Sequence, residues 1–511
     1  MAEHFSAREI NSLLNDVIKH TAADSSSIVS IDSASSGATS DSSLKSVILC
    51  RVVATGSRSI LAMDSIQPLI QSIRDPDVRV SVSRTILQSC CVQQQQLLLE
   101  QESETEAETV DRQRWHPDDE QWLDVLHTLS FCCRTVHDSV SAISLEDERR
   151  EVANLLTGYL RLVTFCPVLD REQRFTLLQD ARSDYFAKMD SVLSFLVYAV
   201  NSLIAPSSNS CEPPSRHFVR SCLAFAFTTI PSIDDPVSKL LLYAQSAEMG
   251  LANAALSQLD SFLKAGMQLL SQQSGNTVVV SDSFFASYCR KLLSLLLVVP
   301  DHPDHEPLYL LKGLVAVVSG HDFQSEEVRF LLRLDLMCFL SVASQSEYPV
   351  HADGVDSNDV LYGGCESGEE RAAFVTTVTS LMRETMDQLL QHLTPGQGPA
   401  AGAGQGSSGD KGQEDVDEAW MRRADLCLHL FTRLVTFSDL SRSHKLATRL
   451  WHLMRKQHGD NGDRGKVRSG GTPFQVSLSL VNDTVVLVLV VVLTPCSVCL
   501  SVCLSAGCRC G

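Results

Sequence analysis

Residues 295–314 read LLLVVPDHPDHEPLYLLKGL, and this stretch contains the pattern that decides the fold. Two apolar runs flank a short polar segment that carries Pro300, Pro303 and Pro307. Because proline removes a backbone donor and blocks the interior of a helix, the polar segment cannot be a regular helix, whereas the apolar runs on either side can be. The stretch therefore favours two buried helices joined by a solvated turn.

The polar segment has a second interpretation as a metal or substrate site. Its candidate ligands are Asp301, His302, Asp304, His305 and Glu306. His302 and His305 are three residues apart, but the prolines prevent them from sharing a helical face as a metal pair would. We therefore predict a turn, with Pro307 in the first turn of the next helix and Asp304 or Glu306 near its positive end. A metal hydrolase built on this loop is the weaker alternative.

The same pattern repeats from about residue 57. Apolar residues recur three and four apart, as in DERREVANLLTGYLRLVTF (147–165) and HFVRSCLAFAFTTI (217–230), with short polar turns between such stretches and hardly any strand signal. Many amphipathic helices without strands predict an all-α protein of stacked helical hairpins. Since there is no strict period of the tetratricopeptide or ankyrin kind, we expect a HEAT-like α-solenoid.

Composition divides the chain into six segments. Ser6 and Glu9 form a capping box at the first helix, ten serines between residues 24 and 43 indicate disorder, and seven glycines between residues 395 and 412 indicate a flexible linker. The predicted segments are a first helix in 1–22, a Ser-rich disordered insert in 23–56, the solenoid in 57–394, a Gly-rich linker in 395–415, C-terminal solenoid helices in 416–460, and an aberrant, unfolded, cysteine-rich tail in 461–511.

The tail leaves a membrane anchor open as an alternative function. Residues 484–508 carry no charge, so a tail-anchored membrane protein with a cytosolic helical domain is the runner-up interpretation. Residues 497–505, however, read SVCLSVCLS, a four-residue period that a translated tetranucleotide repeat would give. The repeat also accounts for much of the spacing of the five tail cysteines, which otherwise imitates a zinc knuckle.

Charge and cysteine usage limit the classes of partner and compartment. A formal charge of −19 and the absence of a basic stripe argue against nucleic-acid binding and favour protein partners. The first twelve of 17 cysteines are scattered, mostly through apolar helical patterns, as expected for buried side chains in a reducing compartment. The N-terminal sequence does not read as a signal peptide, so we expect a cytoplasmic protein.

The sequence contains no catalytic motif in a context that would support catalysis. Neither G-x-S-x-G nor a Walker loop occurs, and the G-x-G-x-x-G at residues 404–409 lies in low-complexity sequence rather than between a strand and a helix. HADGVDSNDVLYGG (351–364) fails the EF-hand spacing and suits an ordered docking loop. We predict no catalytic, cofactor or metal residues; the candidate partner-binding residues are Asp356, Asn358, Asp359, Leu361, Tyr362, His302, His305 and Trp451.

Several stretches together resemble one family. They include EHFSAREINSLLNDVIKH (3–20), TVHDSVSAISLEDERR (135–150), VVPDHPDHEPLYLL (298–311) and LATRLWHLMRKQHG (446–459). These are similar to the vacuolar protein sorting-associated protein 35-like family, the large scaffold subunits of the retriever complex, over most of residues 3–459. The resemblance implies a HEAT-like solenoid corresponding to the family's C-terminal half, without the region that engages its arrestin-fold partner.

The same resemblance implies a function and partners. The family's scaffold assembles with an arrestin-fold subunit and a small phosphoesterase-fold subunit, and the assembly associates with the CCC complex of COMMD and coiled-coil proteins. It recycles membrane cargo from endosomes to the cell surface. We therefore expect a non-catalytic scaffold that is cytoplasmic and peripheral on endosomes, attached to the membrane through its partners.

Overall fold

The computed structural model describes residues 7–24, 44–51, 61–103, 119–141, 143–166, 168–184, 189–206, 213–273, 280–363, 368–393, 426–434 and 436–437. These residues fall into two compact units that divide the chain after Met249. Within the described ranges the regular structure is helical, apart from one isolated bridge between Ala352 and Val355. The predicted all-α class is confirmed.

Among the described residues, the first unit contains nine α-helices and one 3-10 turn, besides the helical segment 44–51. They are α1 (Ala7–Asp24), α2 (Ile66–Gln71), α3 (Pro76–Ser103), α4 (Asp119–Asp138), α5 (Glu146–Phe165), α6 (Arg171–Asp184), α7 (Asp190–Ile204), α8 (Arg216–Thr229), a 3-10 turn (Ile230–Ser232) and α9 (Pro236–Ala252). The division between the units falls near the C-terminal end of α9.

The second unit has the same kind of element order, with one long polar connection. Its helices are α10 (Leu256–Gln273), α11 (Asp282–Val298), α12 (Tyr309–Gly320), α13 (Glu326–Ala343), the single turn α14 (Asn358–Leu361), α15 (Gly368–Leu393) and the helical segment 426–434. The 14 residues between α13 and α14 and the ten between α11 and α12 contain the two polar stretches singled out above.

Each helix packs mainly against helices close to it in sequence. In the first unit α3 contacts α4 and α5, α5 contacts α6 and α7, and α7 contacts α8. In the second unit α11 contacts α12 and α13, and α13 contacts α15. Because helices that are neighbours along the chain pack against one another in this way, they form stacked hairpins, which is the HEAT-like α-solenoid construction predicted from the sequence.

The helices start where the sequence provides a cap and continue because one face is apolar. Ser215, Ser281 and Ser325 precede α8, α11 and α13, and each accepts a hydrogen bond from a backbone N–H in the first turn, at 3.2, 3.3 and 3.4 Å. In α11, Phe285, Cys289 and the leucines that follow at helical spacing are buried.

The helical segment 426–434 packs into the core of the second unit. Cys427, Leu430 and Leu434 join a buried cluster with Phe330 of α13 and Leu389 of α15. At the rim of this cluster the carboxylate of Asp335 binds Arg290 of α11, with 2.6 Å between Nε and Oδ2, and also binds Arg433. The segment is therefore held by apolar burial and by an ion pair at its edge.

One predicted segment needs correction, and others lie outside the residues that the structure describes. The insert predicted to be disordered over 23–56 contains a helical segment, 44–51, in which Leu49 is fully buried and Lys45 donates to the Ser72 carbonyl at 3.3 Å. The ten serines lie in residues 24–43, whereas residues 44–51 read LKSVILCR and carry the apolar side chains of a helix. The linker in 395–415, the tail in 461–511 and Trp451 lie outside the described residues.

The buried cysteines are those expected from the apolar patterns. Cys132, Cys222 and Cys289 are fully buried, and burial raises the pKa of each thiol to about 12. At neutral pH they are protonated, weakly polar side chains that pack like small hydrophobic residues. Across the described ranges, no helix has the length and apolar character needed to cross a membrane.

Candidate functional site

The two polar stretches meet in the second unit. The backbone N–H of Asp301 donates to Asn358 Oδ1 at 2.7 Å, and the hydroxyl of Tyr362 donates to Asp301 Oδ2 at 3.3 Å. Asp301 Oδ2 also accepts from the Leu308 N–H at 2.9 Å. We call this region the loop junction, formed by residues 301–309 and 348–363.

Asp301 and Asn358 lie at the centre of the loop junction. The Asn358 side chain is buried, with 3% of the residue exposed, and its Oδ1 accepts the hydrogen bond from the Asp301 N–H. Desolvation raises the pKa of Asp301, although hydrogen bonds from Leu308, Tyr362 and Asn358 act in the opposite direction. Both side chains therefore hold the loops together from inside.

Asp359 forms a second centre of hydrogen bonds in the junction. Its carboxylate accepts from the Tyr348 N–H at 2.7 Å, from Ser357 Oγ at 2.6 Å and from His351 Nε2 at 2.9 Å. Burial alone would raise the pKa of Asp359, but these hydrogen bonds outweigh it and lower the pKa. The ionised carboxylate organises residues 348–359, which lack regular structure over most of their length.

The start of α12 differs from the predicted geometry. Pro307 was predicted in the first helical turn, but α12 begins at Tyr309, after Leu308 in the left-handed conformation with φ of 57°. A non-glycine residue rarely adopts this conformation unless its surroundings enforce it. Here Leu308 is buried and its N–H is bound by Asp301, so Asp301 rather than Asp304 or Glu306 supports the helix start.

His302 and His305 lie on the outer side of the junction. Their rings are 5.2 Å apart between centroids, and the ring of His305 lies 4.3 Å from that of Tyr309. Tyr309 donates its hydroxyl to Asp260, which also pairs with Lys264 at 2.8 Å. In the part of the chain that the structure describes, no group of three or more His, Cys, Asp or Glu side chains could hold a metal ion.

The predicted partner-binding residues separate into two groups. Asn358 and Asp359 are buried inside the junction, where their side chains bind groups of the junction itself. Asp356, His305 and Leu361 reach the surface, His302 is half-buried, and Tyr362 stacks on Phe374 with ring centroids 4.6 Å apart. Partner binding by the exposed group stays a prediction.

The sequence pattern did not identify Asp260, and it did not show that Asn358 contacts Asp301. Asp260 lies 49 residues before Tyr309, and Asn358 lies 57 residues after Asp301. No local pattern links positions so far apart, because such contacts depend on how the hairpins stack. An exposed apolar pair, Val360 and Leu361, is 52% and 46% exposed and was noted only in part.

Replacing both His302 and His305 with asparagine should leave stability within about 0.5 kcal/mol of wild type. Both side chains are outside the core, and asparagine can still accept the hydrogen bond that the Asp304 N–H donates to His302 Nδ1 at 3.2 Å. Thermal melting with and without a chelator measures the effect. A chelator-sensitive wild type beside a less stable, chelator-insensitive double mutant would contradict the structural interpretation.

Gly363→Ala should destabilise the protein by about 1 to 3 kcal/mol. A Cβ at this position would lie 2.3 Å from the Asp359 carbonyl oxygen, which is a backbone atom that cannot move without opening α14. Gly320→Ala is a matched control, because nothing lies within 4 Å of a Cβ there. Urea titration followed by circular dichroism compares the two; equal midpoints would show that the junction tolerates a displaced α14.

The chain matches one protein family and several relatives of that family. The family model described as VPS35L C-terminal domain matches residues 1–106 and 113–471. "VPS35 endosomal protein-sorting factor-like" from Mus musculus is 30% identical over 482 residues, and the protein of the same name from Danio rerio is 30% identical over 481. Each match covers 91% of this chain and 44% of the relative, so the chain spans less than half of their length.

A solved structure also matches over most of the chain. It is titled "Circular tandem repeat protein with novel repeat topology and enhanced subunit contact surfaces", and the match covers 89% of both chains with 10% sequence identity. The TM-score of 0.30 is too low to bear on the fold. The family match continues twelve residues beyond Gly459, where the resemblance noted in the sequence ends.

Proposed function

Because this chain belongs to the VPS35L family, we propose that it is a non-catalytic scaffold subunit of an endosomal cargo-recycling complex of the retriever type. The observation that carries this proposal is that the buried polar side chains of the loop junction are hydrogen-bonded to groups of the junction itself. Asp301, Asn358 and Asp359 are bound to backbone and side-chain groups of the junction itself. A substrate would compete with these bonds, whereas a scaffold requires them to keep its surface fixed.

The proposed partners follow from the family. The second unit would bind a small phosphoesterase-fold subunit by shape and apolar contact, and the exposed residues of the junction, among them Leu361 and His305, are candidate contacts. An arrestin-fold subunit and the CCC complex of COMMD and coiled-coil proteins would complete the assembly. The charge of −19 supports protein rather than nucleic-acid partners. The location would be cytoplasmic and peripheral on endosomes, through these partners.

Cargo retrieval in cells tests the proposed function. Removing this protein from its own cells should lower the amount of internalised cargo that returns to the plasma membrane, and re-expression should restore it. Surface biotinylation after a chase measures the returned fraction. Unchanged return of all surface proteins would contradict an endosomal recycling role.

Alkaline carbonate extraction tests the mode of membrane attachment. A subunit held on endosomes by its partners should be released into the supernatant, because high pH breaks protein contacts but leaves membrane-spanning segments in place. A tail-anchored protein would stay in the membrane pellet. Retention of this chain in the pellet would contradict the peripheral location and support the anchor alternative.

A further inference from the structure

Two large apolar side chains project from the turn between α4 and α5. Ile143 is 92% exposed and Leu145 is 75% exposed, more than any other large apolar side chain in the described part of the chain. Single apolar residues are common on protein surfaces. Two of them at these exposures on one short turn form an unusual feature, which we call the apolar turn (Ile143 and Leu145).

Hydrogen bonds connect the described residues around the apolar turn. The Ser141 N–H donates to Ser144 Oγ at 3.1 Å, and the Ile143 N–H donates to Ser141 Oγ at 3.2 Å. Arg149, in the first part of α5, donates to the Ser141 carbonyl at 3.2 Å. Backbone groups that are already hydrogen-bonded lose less conformational entropy when a partner covers them. Ser141, Ile143 and Ser144 are bonded in this way.

Acidic side chains lie on both sides of the apolar turn. Asp138 ends α4 with its side chain 66% exposed, and Glu146 and Asp147 begin α5 directly after Leu145. The Asp147 side chain is 95% exposed, and its ion pair with Arg150 at 3.4 Å is a surface contact of small energy. Arg149 and Arg150 lie in the same segment, so a surface that covers Ile143 meets three carboxylates (Asp138, Glu146 and Asp147) and two guanidinium groups, a rim with a small net negative charge.

We propose that the apolar turn is a docking surface for a partner protein that has an apolar pocket rimmed by lysine and arginine. Ile143 and Leu145 would fill the pocket, and Asp138, Glu146 and Asp147 would meet its basic rim. The net negative charge of the rim favours this occupant over anionic lipid headgroups, which it would repel. A second copy of the chain is a separate outcome of the test below. This inference does not depend on the proposed endosomal role.

Site-specific photo-crosslinking in cells tests the proposal. A photoreactive amino acid replaces Ile143, and the matched control carries it at Phe165, which is 57% exposed at the other end of α5. We expect position 143 to capture a protein peptide that contains both apolar residues and Lys or Arg. Combining the probe with Glu146→Lys and Asp147→Lys should lower its yield by about tenfold or more, the size of a hot-spot loss.

A second variant guards against misfolding of the charge-reversed protein. Glu146→Gln with Asp147→Asn removes the charge more gently and should give an intermediate loss, while circular dichroism confirms that α5 is still formed. Capture no greater than at Phe165, capture of lipid or of a second copy, or a yield that neither charge variant changes would each overturn the proposal. Capture of a peptide without basic residues would overturn it as well.

Discussion

Replacing Asp359 with alanine should lower the free energy of unfolding by about 3 to 5 kcal/mol, as expected when one partner of a buried charged network is removed. The carboxylate is almost fully buried, with 2% of its side chain exposed. Its loss leaves the Tyr348 N–H and the Ser357 hydroxyl without their acceptor in a buried site. Residues 348–359 would then lose the group that orders them.

Asp356→Ala is the matched control, because it removes the same side chain from an exposed position of the same loop and should change stability by about 0.5 kcal/mol or less. Urea titration followed by far-ultraviolet circular dichroism measures both variants. Equal effects of the two substitutions would mean that burial of Asp359 does not stabilise the loop.

The effect of Asp359 should also depend on pH. Because the pKa of Asp359 is lowered in the folded protein, its stabilisation is fully present above the ordinary Asp pKa of about 3.9. It is lost as the pH falls through the lower pKa of the folded state. The difference between Asp359→Ala and wild type should therefore shrink in strong acid.

Truncating Phe330 to alanine should cost about 3 to 5 kcal/mol, the range for deleting a buried aromatic ring. Phe330 is 1% exposed and contributes to the cluster that joins α13, α15 and the helical segment 426–434. The cavity would remove contacts from all three elements at once, so the segment should be the first to loosen. Hydrogen exchange at Leu430 and Leu434 reports on this directly.

Phe165→Ala provides the control for Phe330. It deletes the same ring from a position that is 57% exposed, so it should change stability by about 0.5 kcal/mol or less. If Phe330→Ala were as mild as Phe165→Ala, or if exchange in the segment 426–434 were unchanged, this segment would not depend on the core cluster.

The helical architecture could be predicted because its signals are local. Apolar spacing marked the faces of α5 and α8, which are buried as expected, and the prolines of residues 300–307 marked a turn between α11 and α12. Both depend only on neighbours within a few residues. The prediction of disorder was wrong at residues 44–51. The ten serines over residues 24–43 dominated the composition of the predicted insert, although a short helix with a buried Leu49 follows them.

The candidate site could be predicted only in part, because its contacts join distant residues. Polar composition identified both loops, but it could not reveal that Asp301 binds Asn358, or that Asp359 faces inward while Asp356 faces outward. The start of α12 was misplaced because Leu308 is held in an unfavourable conformation by Asp301, seven residues earlier in the chain. Such tertiary support leaves no trace in local spacing.

The most direct test of the scaffold assignment is the mass of the assembly that this chain forms. The chain is co-expressed with a small phosphoesterase-fold subunit from the same organism, purified in the presence of EDTA, and examined by size-exclusion chromatography with light scattering. A one-to-one complex, heavier than the 56.0 kDa chain by the mass of its partner, is the predicted result. Elution of the chain alone at 56.0 kDa, with the phosphoesterase-fold subunit in a separate peak, would contradict it.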